Sequence, residues 1–327
     1  MEISIALCSF NGARFLPDQL NSIKSQPRKP DEVVVCDDGS RDGTMELLQL
    51  FQEQCPFPVK LHRNESRLGS LKNFEKAIGL CKGDVVVLAD QDDVWIPEKL
   101  TIIEDAFEKH PDLGYLFTDA ELVDAEGDLL GRSLWASLGF SAKQFNKFEN
   151  GEQLRCLFRK PIVTGATMAI RGSLKQFVLP FPENTILVHD LWIALVASSI
   201  NMHGLPLPDK LIRYRLHSSQ QIGLRQFSLT ELYNDLMKFD KNNFKEFVEA
   251  FECLIDRLLY LQKTYSMEVS GSVIQIEQKN RHLNNRYSIH STQKIAKYSL
   301  LIREILSGRY SDYSDSWKSV IRDIFTR

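Results

Sequence analysis

Through the first hundred residues the apolar positions follow two alternating rhythms. Short β-rich runs at residues 3–7, 33–35, 59–61 and 85–89 are separated by stretches in which apolar residues recur every three or four positions. That alternation predicts a parallel sheet covered by helices. Leu16, Leu20 and Ile23 give the first helix its stripe, and Leu47, Leu48 and Phe51 the second, with Asp42 or Thr44 placed to cap it. Phe74, Ala77, Ile78 and Cys81 line the third, which Ser70 is placed to cap. The run 85–89 is continuously apolar, as suits a strand buried on both faces, and it ends abruptly in acid.

Further along, Leu100, Ile103 and Phe107 define a helix opened by Pro97, residues 115–118 read as a strand, 124–128 as a turn and 191–198 as a helix. After about residue 224 the strand pattern stops. Phe247, Phe251, Leu254, Leu258 and Leu261 then alternate spacings of four and three. The predicted organisation is an α/β domain over 1–223, with a nucleotide-binding half at 1–115 and an acceptor half at 116–223, followed by a helical region over 224–327. A chain of 327 residues, against a rough prior of ~150 per domain, leaves room for that arrangement.

Composition narrows the class. With 43% apolar and 25% charged residues and a net charge of −3, the chain is an ordinary globular one, which excludes disordered, collagen-like and nucleic-acid-coating readings. Its six cysteines are scattered singly, as for buried thiols in a reducing compartment. The N-terminus has no basic leader pattern and no apolar run approaches the ~20 residues of a membrane span, so a cytoplasmic location is expected.

Charge is nevertheless segregated. Residues 279–327 carry ten Lys or Arg against four Asp or Glu, a net +6, while the rest of the chain carries −9. Ile295, Tyr298, Ile302 and Ile305 lie at helical spacing, and a last helix is predicted to place Trp317, Val320, Ile321, Ile324 and Phe325 on one side with Lys318 and Arg322 elsewhere. Such a basic, aromatic-bearing segment suits peripheral contact with an anionic leaflet. The alternative is that these stripes pack on the α/β domain or on another subunit.

In an open parallel sheet, ligands bind beyond the carboxyl ends of the strands. Here the second strand ends in Cys36-Asp37-Asp38-Gly39-Ser40 and the long apolar one in Asp90-Gln91-Asp92-Asp93. Acidic and hydroxyl residues after a strand often do no more than make turns and caps. Two acidic clusters on one edge repel each other, however, a cost that makes sense where a divalent cation and a hydroxyl-rich ligand share the space. The first strand is followed by Cys8-Ser9-Phe10-Asn11-Gly12, and neither GxGxxG nor GxxxxGK[ST] occurs, so phosphate has no glycine-rich cradle.

An ordered set of motifs resembles the family 2 glycosyltransferases, enzymes of the GT-A fold that use nucleotide-sugar donors. The set comprises Ser9-Phe10-Asn11-Gly12, Asp37-Asp38-Gly39-Ser40, the run 64–73 (NESRLGSLKN), Asp90-Gln91-Asp92-Asp93, Thr164-Gly165-Ala166, His189-Asp190 and Tyr214-Arg215-Leu216-His217. The DQDDVW string with Pro97-Glu98-Lys99-Leu100, and the later HDLW, look most like bacterial rhamnosyltransferase-type members. The resemblance implies a GT-A nucleotide-sugar fold with a mainly parallel central sheet over roughly residues 3–223, with the C-terminal helices as an extension.

By that resemblance Ser9, Asn11 and Asp38 line the nucleotide pocket, Arg67 lies near the diphosphate and Asp90 faces the ribose side. Asp92 and His217 ligate a Mg or Mn ion, Asp190 is the catalytic base, and Thr164, Gly165, Ala166 and Asp93 lie near the sugar or acceptor. Read alone, His217 is a packed or surface histidine and Asp190 an N-cap for the helix that follows. The implied reaction inverts the anomeric centre, with dTDP-L-rhamnose as donor, or a UDP-hexose as runner-up, and a bacterial surface glycan or lipid-linked sugar as acceptor. Two remoter readings remain at this level. A strand followed by DxDxV also fits haloacid-dehalogenase-type phosphatases, although those carry the motif on their opening strand. The other is a catalytically dead nucleotide-binding subunit.

Overall fold

The computed structural model describes residues 1–183, 185–218, 220, 242–292 and 294–325. Four parallel strands come first: β1 (Ile3–Ser9), β2 (Glu32–Asp37), β3 (Val59–Arg63) and β4 (Val85–Ala89). Helices α1 (Leu16–Lys24), α2 (Thr44–Gln54) and α3 (Ser70–Leu80) connect them. The strands lie in the order β3-β2-β1-β4, so the chain reverses direction across the sheet between β1 and β4. Such a reversal opens a crevice at the strands' carboxyl ends. The register sets Ser9 beside Asp37 and Leu7 beside Ala89, which brings the loops after β1, β2 and β4 to one rim. Val33–Val35 and Val85–Val87 are buried, as expected of strands covered on both faces.

Then come β5 (Val94–Trp95), α4 (Lys99–Lys109), β6 (Leu113–Val123), β7 (Leu129–Ser133), α5 (Leu134–Leu138), α6 (Ala142–Glu149), α7 (Gln153–Arg159), β8 (Met168–Arg171), α8 (Lys175–Val178), α9 (His189–Ser199) and β9 (His203–Arg215). The sheet continues from β4 through β8, β6 and β9 to β5. β8 runs against both β4 and β6, whereas β9 is parallel to β6. The division expected at 115/116 falls inside β6, so it is not a break in the fold.

Among the described residues five helices follow: α10 (Asn242–Tyr265), α11 (Ser270–Ser291), α12 (Lys294–Leu306), α13 (Arg309–Tyr313) and α14 (Ser316–Phe325). The predicted boundary at 223/224 and the side chain of Ile295 lie outside the described residues. The main apolar core runs without interruption from Ile3 to Leu283 and Tyr313, so the helical extension shares the core of the α/β domain. The predicted stripe of α10 holds, with Phe251, Leu254, Leu258 and Leu261 buried and Phe247 packed against the core.

Several local expectations change. Gly43 and Gly69, both at positive φ, occupy the caps of α2 and α3, and neither Thr44 nor Ser70 caps. Asp42 still serves α2, its Oδ1 accepting from Thr44 N at 3.2 Å and Thr44 Oγ1 at 2.6 Å. The stripe predicted for α14 splits: Val320 and Ile324 pack inward beside Ile289, Leu301 and Tyr310, while Trp317, Ile321 and Phe325 are exposed. Cys253 is exposed rather than buried.

Candidate active site

The loop after β1 begins with Ser9, whose hydroxyl donates to Asp37 Oδ2 at 3.0 Å. Asn11 takes a left-handed backbone (φ 47°), which short polar side chains tolerate. Its N–H donates to Ser40 Oγ at 2.8 Å and its Oδ1 accepts from Arg41 N at 3.0 Å. Ser9 and Asn11 are thus fixed to the loop after β2. Asp38 was expected to receive the base or ribose. Its carboxylate already accepts from Asn64 Nδ2 (2.9 Å), Leu68 N (2.7 Å) and Gly69 N (2.9 Å), so it orders the segment that carries Arg67. Arg67 is 56% exposed, with its guanidinium 4.0 Å over the Phe10 ring and its Nε 4.0 Å from Asp38 Oδ2. It stands as a mobile-length cation at the rim.

Beyond β4 the acidic residues diverge. Asp92 Oδ2 and His217 Nε2 lie 2.9 Å apart, although 125 residues separate them in the chain. The His217 ring packs 4.5 Å from Phe15. Asp90 has its pKa pushed up to about 7 by burial and by the carboxylates of Asp92 and Asp190, with Lys99 pulling the other way. Asp190, from the first turn of α9, is therefore an electrostatic neighbour of Asp90. Asp93 corrects the expectation that it borders the acceptor. It is 1% exposed, its Oδ1 accepts from Arg215 N at 3.0 Å, and its buried Oδ2 has no hydrogen-bond partner among the described residues. Burial and the charges of Asp92 and Asp90 push its pKa well up.

Asp190 is not the N-cap, a place taken by Val188. Its carboxylate is 9% exposed; Oδ2 accepts from Gly165 N at 2.8 Å and Oδ1 from Leu191 N at 2.6 Å. Packing accounts for the glycine in Thr164-Gly165-Ala166. A Cβ there would stand 2.4 Å from His189 Nε2, and that imidazole is stacked on Phe74 at 4.0 Å between ring centroids. Burial pushes the pKa of His189 down, which keeps the ring neutral in this packed position.

Three positioning side chains carried no role in the sequence reading. Arg215 is buried and ties Asp92 O (2.9 Å), Ala125 O (2.9 Å) and Asp18 Oδ2 (2.9 Å) together beneath the rim. Lys99, 0% exposed, donates to Ala166 O at 3.1 Å and sits 4.1 Å over Trp95. Burial pushes its pKa down to about 7 while Asp93 and Asp90 oppose the shift. Gln91 holds the backbone of Phe10. The motifs containing these residues were visible, but their contacts depend on partners far away in the chain.

A carboxylate and an imidazole facing one another, in a rim already crowded with negative charge, fit a divalent cation that takes its remaining ligands from phosphate oxygens and water. Among the described residues no group of three or more His, Cys, Asp or Glu converges as a metal cage.

Comparison with known proteins identifies the family and the fold. Residues 4–170 match the family described as Glycosyl transferase family 2. Abequosyltransferase RfbV of Salmonella typhimurium is 29% identical over 115 residues, 35% of this chain and 34% of its own. The curated relatives matched first are covered over about a third of their length or less. Among solved structures, Staphylococcus aureus TarS 1-349 in complex with UDP-GlcNAc superposes with a TM-score of 0.61 at 18% identity, over 95% of this chain and 82% of that one. The mannosyltransferase PcManGT of Pyrobaculum calidifontis, in complex with GDP-Man and Mn2+, superposes with a TM-score of 0.55 at 17% identity, over 99% and 86%. These likenesses identify the GT-A fold expected from the motifs. The family match also sets aside the phosphatase reading, whose acidic motif would have to stand on the opening strand rather than on β4.

Proposed function

The chain belongs to glycosyl transferase family 2, and from that premise we propose an inverting, metal-dependent transfer of a sugar from a nucleoside diphosphate to a glycan or lipid-linked acceptor. The observation that carries the proposal is the meeting of Asp92 and His217 at 2.9 Å on the rim that also holds Ser9, Asn11 and Asp90, with Asp190 arriving from α9. Asp92 and His217 would hold Mg2+ or Mn2+, which supplies Lewis-acid stabilisation of the departing diphosphate. Arg67 reaches the same phosphates. Ser9, Asn11, Asp38 and Asp90 border the nucleoside.

Asp190 is the base that takes the acceptor proton as the new bond forms. Its two backbone donors, Gly165 N and Leu191 N, aim the carboxylate and leave lone pairs on both oxygens. One base and no covalent intermediate give inversion at the anomeric carbon. Thr164, Gly165 and Ala166 then stand on the sugar side, fixed from below by Lys99.

For the donor we favour dTDP-L-rhamnose, on the DQDDVW and HDLW strings. A neighbour in fold holds UDP-GlcNAc, which keeps a UDP-hexose as the second reading. A thermal-shift screen of both donors with and without Mn2+ or Mg2+ separates the two. Metal-dependent stabilisation by dTDP-L-rhamnose is expected. Stabilisation by UDP-hexoses alone would replace the donor, and stabilisation by no nucleotide sugar would sink the proposal.

We also propose peripheral contact with the cytoplasmic face of a membrane through the exposed Tyr298, Ile302 and Leu306 of α12 and Trp317, Ile321 and Phe325 of α14. No helix among the described residues is long and apolar enough to cross a membrane. Part of the tail's positive charge is neutralised internally, since Arg286 pairs with Asp323 and Arg309 with Glu304. Arg303 and Lys318 are exposed beside the apolar stripes, Lys318 within 3.9 Å of Asp315. Trp317→Ser with Phe325→Ser should abolish salt-sensitive sedimentation with anionic vesicles while leaving transfer to a soluble acceptor intact. Unchanged sedimentation would remove the membrane from this account.

A further inference from the structure

Gln91 lies between two functional aspartates, yet its side chain points away from them and across the crevice between β1 and β4. Its Oε1 accepts from Phe10 N at 2.8 Å and its Nε2 donates to Phe10 O at 3.1 Å. One amide thereby satisfies both polar groups of a residue just past the end of β1, as a strand neighbour would. The β1–β4 pairing, whose last register pair is Leu7 and Ala89, is in effect prolonged across the crevice by a side chain.

Two further contacts make the clamp specific. Gln91 lies flat on Gly12, where a Cβ would be 2.1 Å from its Oε1 and 2.5 Å from its Cδ. The opposite side of the same loop is held by Ser40 Oγ on Asn11 N (2.8 Å) and Thr44 Oγ1 on Gly12 N (2.9 Å). Phe10 in turn carries Arg67 on its ring. A continuous chain of contacts therefore runs from the Asp92 loop through Gln91 and Phe10 to Asn11 on one side and Arg67 on the other.

We propose that Gln91 is a positioning residue that couples the nucleoside loop, Ser9 to Gly12, to the Asp92 loop, so that cation and nucleotide bind cooperatively. This rests on the function proposed above. If nucleoside and cation are recognised on separate loops, their mutual reinforcement requires the loops to be held in register, and Gln91 is the side chain that spans them. An amide is needed because a carboxylate would turn an oxygen toward Phe10 O and add charge beside Asp90, Asp92 and Asp93. A hydrocarbon of the same size would leave both backbone groups of Phe10 without this partner.

The test is calorimetric titration of UDP and dTDP, with Mn2+ and with a chelator, into wild type, Gln91→Leu, Gln91→Ala, Gln91→Glu, Gly12→Ala and the Gln91→Ala/Gly12→Ala pair. Thermal unfolding and hydrogen exchange of the peptide spanning residues 8–13 are followed in the metal-free proteins. The ratio of nucleotide affinities with and without Mn2+ measures the coupling, and it is expected to fall about 10-fold or more in Gln91→Leu and in Gly12→Ala. Metal-free affinity should fall less, and exchange in 8–13 should quicken. The double variant should be no worse than Gln91→Ala alone, because both changes remove one contact. Should Gln91→Leu fail to fold, Gln91→Glu and Gly12→Ala carry the test. A lowered unfolding temperature with an unchanged ratio would make Gln91 a structural residue only and overturn the proposal. Wild type that binds neither nucleotide would instead overturn the proposed function, and the coupling with it.

Discussion

Among the described residues, the carboxylates of the C-terminal helices and those of the rim beyond β4 are organised in opposite ways. Among the C-terminal helices, Asp323 accepts from Arg286 Nε (2.7 Å) and Nη2 (2.8 Å) and from the Tyr310 hydroxyl, and lies 2.9 Å from His290 Nε2. Glu304 is met by Arg309, Asn285 and His282. These partners outweigh the cost of burial and hold Glu304 down at about 2 and Asp323 lower still. At the rim, burial raises the pKa values of Asp90 and Asp93, and the Asp92 carboxylate adds to the rise in both. Closed electrostatics holds helices together. Open electrostatics, with more acid than cation, marks the place where a ligand must complete the balance. Glu304 and Asp323 are almost wholly covered and Asp90 and Asp92 half-buried, so both burial and partner chemistry separate structure from site.

Substitutions should respect this division. The largest effect is expected at Asp190. Asp190→Asn keeps an oxygen for Gly165 N, turns its NH2 toward Leu191 N and accepts no proton, so kcat should fall by about 100- to 10,000-fold with nucleotide affinity near wild type and an unfolding temperature lowered only by the lost Leu191 N bond. Turnover within a few-fold of wild type, measured by product release under saturating donor, would reduce Asp190 to a structural residue. Next comes the closed cluster: Asp323→Ala strands buried Arg286 and should cost about 3–5 kcal/mol in denaturant unfolding, while kcat per folded molecule stays unchanged. A loss below about 1 kcal/mol would erase the contrast between the two regions.

The smallest and most diagnostic effect is one of sign. Glu304 and Asp323 have folded pKa values below their ordinary ones, so the unfolded chain binds more protons there, and their stabilisation is lost as pH falls from about 4.5 toward 2. His282, pushed down to about 4 mainly by burial, acts in the same direction below 6.5. Asp90 is raised from 3.8 to about 7, so the folded chain binds more protons in that window, and its contribution falls as pH rises through it. Metal-free Asp90→Asn should therefore gain stability over wild type progressively between pH 4 and 7. Glu304→Gln should flatten the acid limb instead. Parallel pH profiles for the two variants would contradict the opposition of the clusters.

Much of the sheet was legible because parallel strands buried on both faces write themselves as continuous apolar runs, as residues 33–35 and 85–89 do. The rim followed from what comes directly after those runs. Less legible was the direction of individual side chains in the loops: nothing in Asp90-Gln91-Asp92-Asp93 says that Asp93 turns inward to Arg215 N while Asp92 meets His217. Those choices depend on β9, which returns more than a hundred residues later. The caps were misplaced because glycines at positive φ serve α2 and α3 without a side-chain signal. In α14 periodicity showed an apolar stripe but not its orientation. Asp323, buried with Ser319 in that helix, is paired inward with Arg286, a partner that helical spacing does not reveal.

The central claim is that Asp92 and His217 form with a bound diphosphate a single cation site. Its most direct test is calorimetric titration of dTDP and UDP into wild type and Asp92→Ala across a range of Mn2+ concentrations, with circular dichroism confirming the fold of both. The account predicts that wild type binds more tightly as Mn2+ rises and that Asp92→Ala, still folded, shows no dependence on the metal. A folded Asp92→Ala protein with undiminished metal-dependent binding would contradict it.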